Sequence, residues 1–374
     1  MLKRPSNLRH TVLFFLSMII IGSCGDEIAP PVDSGDLTSI AYNPAAYQLN
    51  QPAYYPQMDI PVDNPLTVEG VKLGRFLFYD PILSADSTMS CASCHKPELS
   101  FTDGGATSKG IDGVFGTRSS MSLINIGYTK GNFFWDGRSN SLEDQASRPV
   151  VDPVELHNDW GNVEVKLRKH KNYPTMFRKA FGIGNKSEIT QDLATKAIAQ
   201  FERILISADS KYDKYKRGEV FLNDEEYIGF SLYFDVFGDG IPDGQCNHCH
   251  HLELAAGDGF FNNGLQEATL LQDFKDLGKG KITGNISENG KFRAPTLRNI
   301  MLTAPYMHDG SLTTIDQVLA HYVSGGKKSP NRDPLLVDKQ LAELDAYYIS
   351  CLKAFLQTLT DTTSLKNPEF TNPH

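Results

Sequence analysis

The chain has 374 residues, enough for two domains. Its 36 Lys and Arg against 45 Asp and Glu give a net charge of −9, without the basic surplus that binds duplex nucleic acid or anionic lipid. Apolar residues make up 40% of it, with 31 Gly and 20 Pro, the composition of a globular, turn-rich chain with a lean core rather than of low-complexity disorder.

At the N-terminus, Lys3, Arg4 and Arg9 precede an apolar run from Thr11 to Ile21. That run suits a signal peptide and is too short to span a bilayer. Ile21-Gly22-Ser23-Cys24 looks like a bacterial lipoprotein box, with an ordinary signal peptide as the alternative, so residues 1–23 are expected to be removed and Cys24 to carry a lipid. One lipid site without a span predicts an exported protein tethered to a membrane by its anchor alone, periplasmic or on the outer membrane. The Pro-punctuated stretch 24–64 reads as a tether and an extended arm.

Four of the six cysteines fall in Cys91-Ala92-Ser93-Cys94-His95 and Cys246-Asn247-His248-Cys249-His250. Each is C-x-x-C-H, the attachment signature of a c-type haem: two thiols two residues apart form thioethers to one porphyrin, and the next His ligates iron. A four-thiolate zinc site needs segments 155 residues apart to meet, and a redox C-x-x-C wants a thioredoxin-like context that is not visible. Two covalent haems are therefore expected, one per domain, with boundaries at 65–220 and 221–360 and a tail over 361–374.

Helical periodicity dominates around the motifs. Leu193, Ala197, Ile198, Phe201, Ile204 and Leu205 form one stripe over 192–205. Leu341, Leu344, Tyr348, Cys351, Leu352, Phe355 and Leu359 form another over 338–359, which makes Cys351 a small core residue. Period-2 strands are scarce. The basic run from Lys166 to Lys186 reads as a solvated helix face, with docking of an acidic redox partner as its alternative. Asp235, Asp239 and Asp243 lack EF-hand spacing and read as loop.

Further motifs carry a resemblance. Gly74-Arg75-Phe76-Leu77-Phe78-Tyr79-Asp80 precedes the first haem motif, and Phe133-Phe134-Trp135-Asp136-Gly137-Arg138, Ser141-Leu142-Glu143-Asp144-Gln145-Ala146 and Glu155-Leu156-His157 follow it. Arg293-Ala294-Pro295-Thr296-Leu297-Arg298-Asn299 and Thr303-Ala304-Pro305-Tyr306-Met307-His308-Asp309-Gly310 follow the second. From about Pro65 to Leu359 the chain resembles the bacterial di-haem cytochrome c peroxidases and their MauG-like relatives.

The resemblance implies a mainly α fold of two cytochrome c-like haem domains in tandem. It also implies an acid/base pair, Glu155 and Gln145, in a pocket shaped by Pro149, and Trp135 between the haems. Where the family's peroxidases place a His that caps the first iron, this chain has Ile111, which predicts an open first haem. Where they place the second haem's Met ligand, it has Tyr322, as the MauG-like branch does, with adjacent His321 as a rival ligand. A phenolate favours oxidised iron, so a low potential is expected there. The family's calcium ion would use carbonyls of Thr303 and Pro305 and an Asn whose aligned residue here is Ser119.

The function so implied is reduction of hydrogen peroxide at the His95 haem. Electrons would come from a small cytochrome c or cupredoxin through the His250 haem and Trp135. MauG-like oxidation of a partner protein is the second reading and a non-enzymatic electron-transfer cytochrome the third.

Overall fold

Thr67 accepts a hydrogen bond from Gly70 N and starts helix α1 (Val68–Tyr79), which ends where Asp80 precedes Pro81 and turns extended. The computed structural model describes residues 34–374 apart from 237, 252, 255 and 338–342, so the signal peptide and Cys24 lie outside the described residues. After α1 come a single turn α2 (Cys91–Cys94), then α3 (Leu142–Val151), α4 (Trp160–Lys169), α5 (Tyr173–Phe181), α6 (Gln191–Arg203) and α7 (Lys211–Lys216). They are followed by α8 (Asp224–Phe234), α9 (Lys279–Thr283), α10 (Ile315–Val323) and α11 (Ala346–Thr358). The sheet structure among the described residues is one short antiparallel ladder, β1 (Phe260–Phe261) with β2 (Phe292–Arg293). This matches the expected mainly α class.

Two hydrophobic cores divide the chain. The first centres on α1 and α6, with Leu73, Leu77, Phe78, Ala197 and Phe201 buried and the Phe78 and Phe201 rings 5.2 Å apart. The second centres on α8 and α11, with Leu232, Tyr233, Cys351 and Phe355 buried and the Tyr233 and Phe355 rings 5.2 Å apart. Full burial of each such side chain is worth about 1.5–3 kcal/mol.

The two cores repeat one plan. A Cβ on Gly74 of α1 would lie 1.8 Å from the Ala197 carbonyl oxygen, and one on Gly229 of α8 would lie 2.0 Å from that of Cys351, so each helix pair crosses at a bare glycine. Asn125 donates its backbone N–H to Leu205 O and accepts from Ser207 N; Asn299 does the same with Leu359 O and Asp361 N. Both asparagines are left-handed, at φ 60° and 58°.

Cys351 is buried on α11, as its stripe predicts, but the helix begins only at Ala346. Asp345 caps it by accepting from Tyr348 N, and Leu341 lies outside the described residues. The arm meets the first core at Leu37, whose N donates to Gly184 O, and its Tyr55 and Met58 form a small separate cluster with Tyr128. The tail also returns there: Phe370 is buried, its carbonyl accepts from the Tyr79 hydroxyl, and Arg75 Nε donates to Thr371 O at 2.7 Å. Across the lobes, Arg118, which also pairs with Asp136, grips both carboxylate oxygens of Asp276; beside the second core, Arg298 and Asp213 pair with no exposure. No helix among the described residues is long and apolar enough to cross a membrane.

Candidate active site

The attachment motifs form tight turns. His95 N donates to Cys91 O and His250 N to Cys246 O, both at 3.0 Å, which folds each His back over its own cysteine pair. The four thiols are unbridged, and burial pushes Cys246 and Cys249 up to about 12, so they are not the thiolates of a redox pair. His95 Nδ1 meets Phe101 O at 2.9 Å and His250 Nδ1 meets Pro295 O at 2.8 Å. An imidazole held through Nδ1 keeps its lone pair on Nε2, the form a metal-ligating His requires.

In the first lobe, Ser141 caps α3 by accepting from Asp144 N, and the helix carries Gln145 and Pro149. Beyond it, Glu155 N donates to Asp152 O and Leu156 N to Pro149 O, a turn that brings Glu155 back beside the helix. Burial first, then the Asp152 charge, raises the Glu155 carboxyl to about 7, against the opposing pull of Arg138. Its field reaches the thiols of both Cys91 and Cys94. The Gln145 Oε1 is buried with no hydrogen-bond partner, a deficit that a pocket ligand would relieve. Ile111 is tied to the same turn, its N–H donating to Glu155 O at 3.0 Å.

In the second lobe, one cavity is lined by Cys246, Cys249, His250 and Tyr322. Burial pushes the Tyr322 phenol up to about 12, against an opposing influence of the Asn263 side chain. His321 is turned elsewhere, its Nε2 meeting Asn263 O at 2.8 Å. Of the two rivals, Tyr322 is therefore the one that borders the cavity.

Trp135 lines the same cavity from the first lobe. Its Nε1 donates to Ser119 O at 2.9 Å and its carbonyl accepts from Arg293 N at 2.9 Å. Thr303, Pro305 and Ser119 also line it, but the Ser119 hydroxyl already donates to Met307 O at 2.8 Å. Among the described residues no group of three or more His, Cys, Asp or Glu could hold a metal, Asp235, Asp239 and Asp243 included.

Three buried polar residues had no role in the sequence reading. Arg293 is 5% exposed, its Nη1 donates to Thr129 Oγ1, its Nε has no partner, and burial lowers it to about 10. Glu202 on α6 is 4% exposed with Oε2 unpartnered, and burial raises it to about 8. Arg298 is fully buried, as is its partner Asp213. The one available signal was a charged residue inside an apolar stripe or beside a haem motif. The basic run is largely structural: Lys166 Nζ donates to Ser84 O, Arg168 to Ile189 O and Arg178 to Ile40 O, leaving Lys169, Lys171 and Lys179 exposed.

Unbridged cysteine pairs, imidazoles held through Nδ1, and unpartnered buried Gln145 and Arg293 atoms together fit two bound haems. Comparison with known proteins agrees. Residues 68–220 match the family described as Di-haem cytochrome c peroxidase. The chain is 34% identical to the methylamine utilization protein MauG of Methylorubrum extorquens over 302 residues, covering 80% of each chain. It is 32% identical to the cytochrome c551 peroxidase of Nitrosomonas europaea over 84% of this chain and 86% of that one. The crystal structure of a MauG-like protein associated with microbial copper homeostasis superposes with a TM-score of 0.77 at 34% identity, covering 88% of this chain and 99% of that one. The chain thus belongs to the di-haem cytochrome c peroxidase and MauG family: it is a peroxidase-type oxidoreductase built of tandem cytochrome c-like lobes, a family that carries two c-type haems.

Proposed function

We propose that the chain reduces hydrogen peroxide to water in the first lobe, with electrons entering through the second. The observation that carries this is the asymmetry of the lobes: the first presents a proton-active carboxyl, Glu155, and an unpartnered amide oxygen, Gln145, whereas the second presents Tyr322 to its cavity. A haem on each cysteine pair would supply redox-active iron, two electrons in all being needed to reduce one peroxide to water. Glu155, as carboxylate, takes a proton from one peroxide oxygen and delivers it to the departing one. Gln145 orients the peroxide, its Oε1 accepting the hydrogen bond it lacks in the protein alone. Pro149 and Ile111 bring no donor atom to the pocket, which leaves room for peroxide opposite His95. Trp135 would relay electrons between the lobes, and His250 and Tyr322 would hold the second iron.

The electron donor is a small cytochrome c or cupredoxin. Tyr322 also favours a second reading, MauG-like oxidation of a partner protein, because a phenolate stabilises the oxidised state. An electron carrier has no use for an unpartnered amide beside a carboxyl poised near neutral pH. The protein acts outside the cytoplasm, where c-type haem is attached, tethered through Cys24.

Resting-state optical and electron paramagnetic resonance spectra test the reading. One high-spin five-coordinate haem and one low-spin haem are expected; two low-spin six-coordinate haems would sink it. Peroxide turnover with a small reduced cytochrome, compared with a large protein donor, separates peroxidase from protein oxidase.

A further inference from the structure

A line of aromatic rings leaves the second haem motif and ends on the arm. The Tyr233 hydroxyl donates to the carbonyl of His250 at 2.6 Å. The Phe355 ring lies 5.2 Å from that of Tyr233, and the Tyr212 ring 5.5 Å from that of Phe355. Arg298 Cζ stands 5.3 Å from the Tyr212 ring and 5.5 Å from the Tyr55 ring, so one guanidinium joins the second lobe to the arm. Tyr55 packs edge-on against Tyr54 at 5.3 Å and against Tyr128 at 5.5 Å. Tyr233, Tyr212, Tyr55 and Tyr128 are buried, and Tyr54 is half-buried. Tyr54, Tyr55 and Tyr128 line a cavity of about 440 Å³ that also borders Pro295, whose carbonyl meets His250 Nδ1.

What the hydroxyls meet differs along this line. Those of Tyr233 and Tyr55 donate to backbone carbonyls, of His250 and Ser207, and that of Tyr128 donates to the Gln51 amide oxygen at 2.8 Å. Neither kind of acceptor takes up a proton near neutral pH. The Tyr54 hydroxyl donates at 2.9 Å to Asp213 Oδ1, a carboxylate within the reach a base needs. A phenol that loses an electron becomes a strong acid, so its oxidation is easiest where a base stands ready. The Arg298 charge acts in the same direction, because it disfavours loss of an electron from the Tyr212 and Tyr55 rings beside it. We infer that Tyr54 is a redox-active tyrosine, the point at which the second haem exchanges single electrons with molecules outside the protein. Once peroxide has oxidised the haems, one electron leaves Tyr54 by way of Tyr55, Tyr212 and Tyr233, and the phenolic proton moves to Asp213. A neutral Tyr54 phenoxyl radical and a protonated Asp213 result. An outside one-electron donor then returns the electron, and the proton goes back to the phenolic oxygen, which restores the Asp213 pair with Arg298. Two such rounds supply the two electrons that one peroxide takes, the two protons of the water formed coming from solvent. The inference rests on the reading that peroxide oxidises the haems and that electrons enter through the second lobe.

The deciding experiment uses the full chain with two haems per protein confirmed by mass, mixed with one equivalent of hydrogen peroxide without a donor and freeze-quenched. Electron paramagnetic resonance is expected to show a tyrosyl radical whose spectrum narrows when the protein carries ring-deuterated tyrosine, and a nitrone spin trap is expected to mark the peptide that contains Tyr54. In Tyr54→Phe, which keeps the ring, the radical is expected to fall at least fivefold with both resting haem spectra unchanged. Tyr47→Phe breaks another phenol–carboxylate pair, that of Tyr47 with Glu369, outside the line of rings; it is expected to keep the radical in full. Absence of a tyrosyl radical in the wild type after the haems have reacted, or an undiminished one in Tyr54→Phe, overturns the inference. Haem spectra that do not respond to peroxide would show instead that the peroxidase reading is wrong. Hexachloroiridate then supplies the one-electron oxidation, and the same comparison of wild type with Tyr54→Phe decides the role of Tyr54.

Discussion

The indole N–H of Trp135 donates to the carbonyl of Ser119 at 2.9 Å, and Ser119 is bonded to Ser120, whose hydroxyl lies 3.3 Å from His95 Nδ1. The ring that lines the second lobe's cavity is thereby joined, through one hydrogen bond and one residue of backbone, to the proximal His of the first. Trp135→Phe keeps an aromatic ring and removes that bond. Resting spectra of both haems are expected to stay as in the wild type, while electron transfer from the second haem to the first, followed by stopped flow after peroxide addition, slows at least tenfold. An unchanged rate would remove Trp135 from the path.

The Glu155 carboxyl sits at about 7 because burial and the Asp152 charge disfavour its ionised form. As the base of the first step it must be ionised, so kcat/KM for peroxide is expected to rise with pH and level off above about 7. Glu155→Gln is expected to lower kcat/KM by 10²–10⁴ and to flatten that limb. The stability effect has the opposite sense. A carboxyl raised above its ordinary value destabilises the fold once it ionises, so Glu155→Gln should melt higher than the wild type above pH 7, with the gap closing below the ordinary value of 4.5. A lower melting temperature for the variant at pH 8 would contradict the burial argument.

Arg293 brings a buried positive charge with an unpartnered Nε to the wall of the second lobe's cavity, the place for a porphyrin carboxylate. Even lowered to about 10 it is charged at neutral pH. Arg293→Gln removes a charge that favours reduced iron, so the second haem's midpoint potential is expected to fall, by roughly 60 mV for a tenfold effect on a one-electron equilibrium. The first haem's potential should move much less, and equal shifts of both would indicate a general loosening.

The haem motifs and the stripe of α6 were legible because covalent chemistry and helical periodicity leave local marks. The interlobe repeat was harder to see. Between Phe133–Ala146 and Tyr306–Leu319 the shared features are an Asp-Gly step and classes of residue: a hydroxyl at the cap, an aliphatic after it. Backbone geometry preserves such classes while identities drift. Arg293 stood in a quoted motif and Glu202 within an apolar stripe, but nothing local showed that they are buried, because burial of a polar group is decided by what packs on it from afar. The same holds for the docked arm and tail, and for Lys166, whose partners lie about 80 positions earlier. The second stripe overran its helix because apolar spacing says nothing of where a cap such as Asp345 interrupts it.

The glycine crossings give the fold its most exposed dependence on single atoms. At Gly74 an added Cβ meets backbone, the Ala197 carbonyl oxygen at 1.8 Å, and at Gly229 it meets the Cys351 carbonyl oxygen at 2.0 Å and Phe355 Cβ at 2.7 Å. A backbone carbonyl cannot swing aside as a side chain can, so relief requires the two helices to part. Overpacking of this kind costs about 1–3 kcal/mol, and contacts as short as these put it at the upper end, above the roughly 1 kcal/mol by which Ala is otherwise the better helix former. Gly74→Ala and Gly229→Ala are each expected to lower the thermal midpoint, whereas Gly116→Ala, whose nearest neighbour would be Ser108 O at 3.7 Å, should leave it within error. Because Gly74 and Gly229 stand equally far before their cysteine pairs, equivalent losses in the two lobes would show that the crossing is one device used twice; a neutral result at either glycine would show that its helix pair can open without cost.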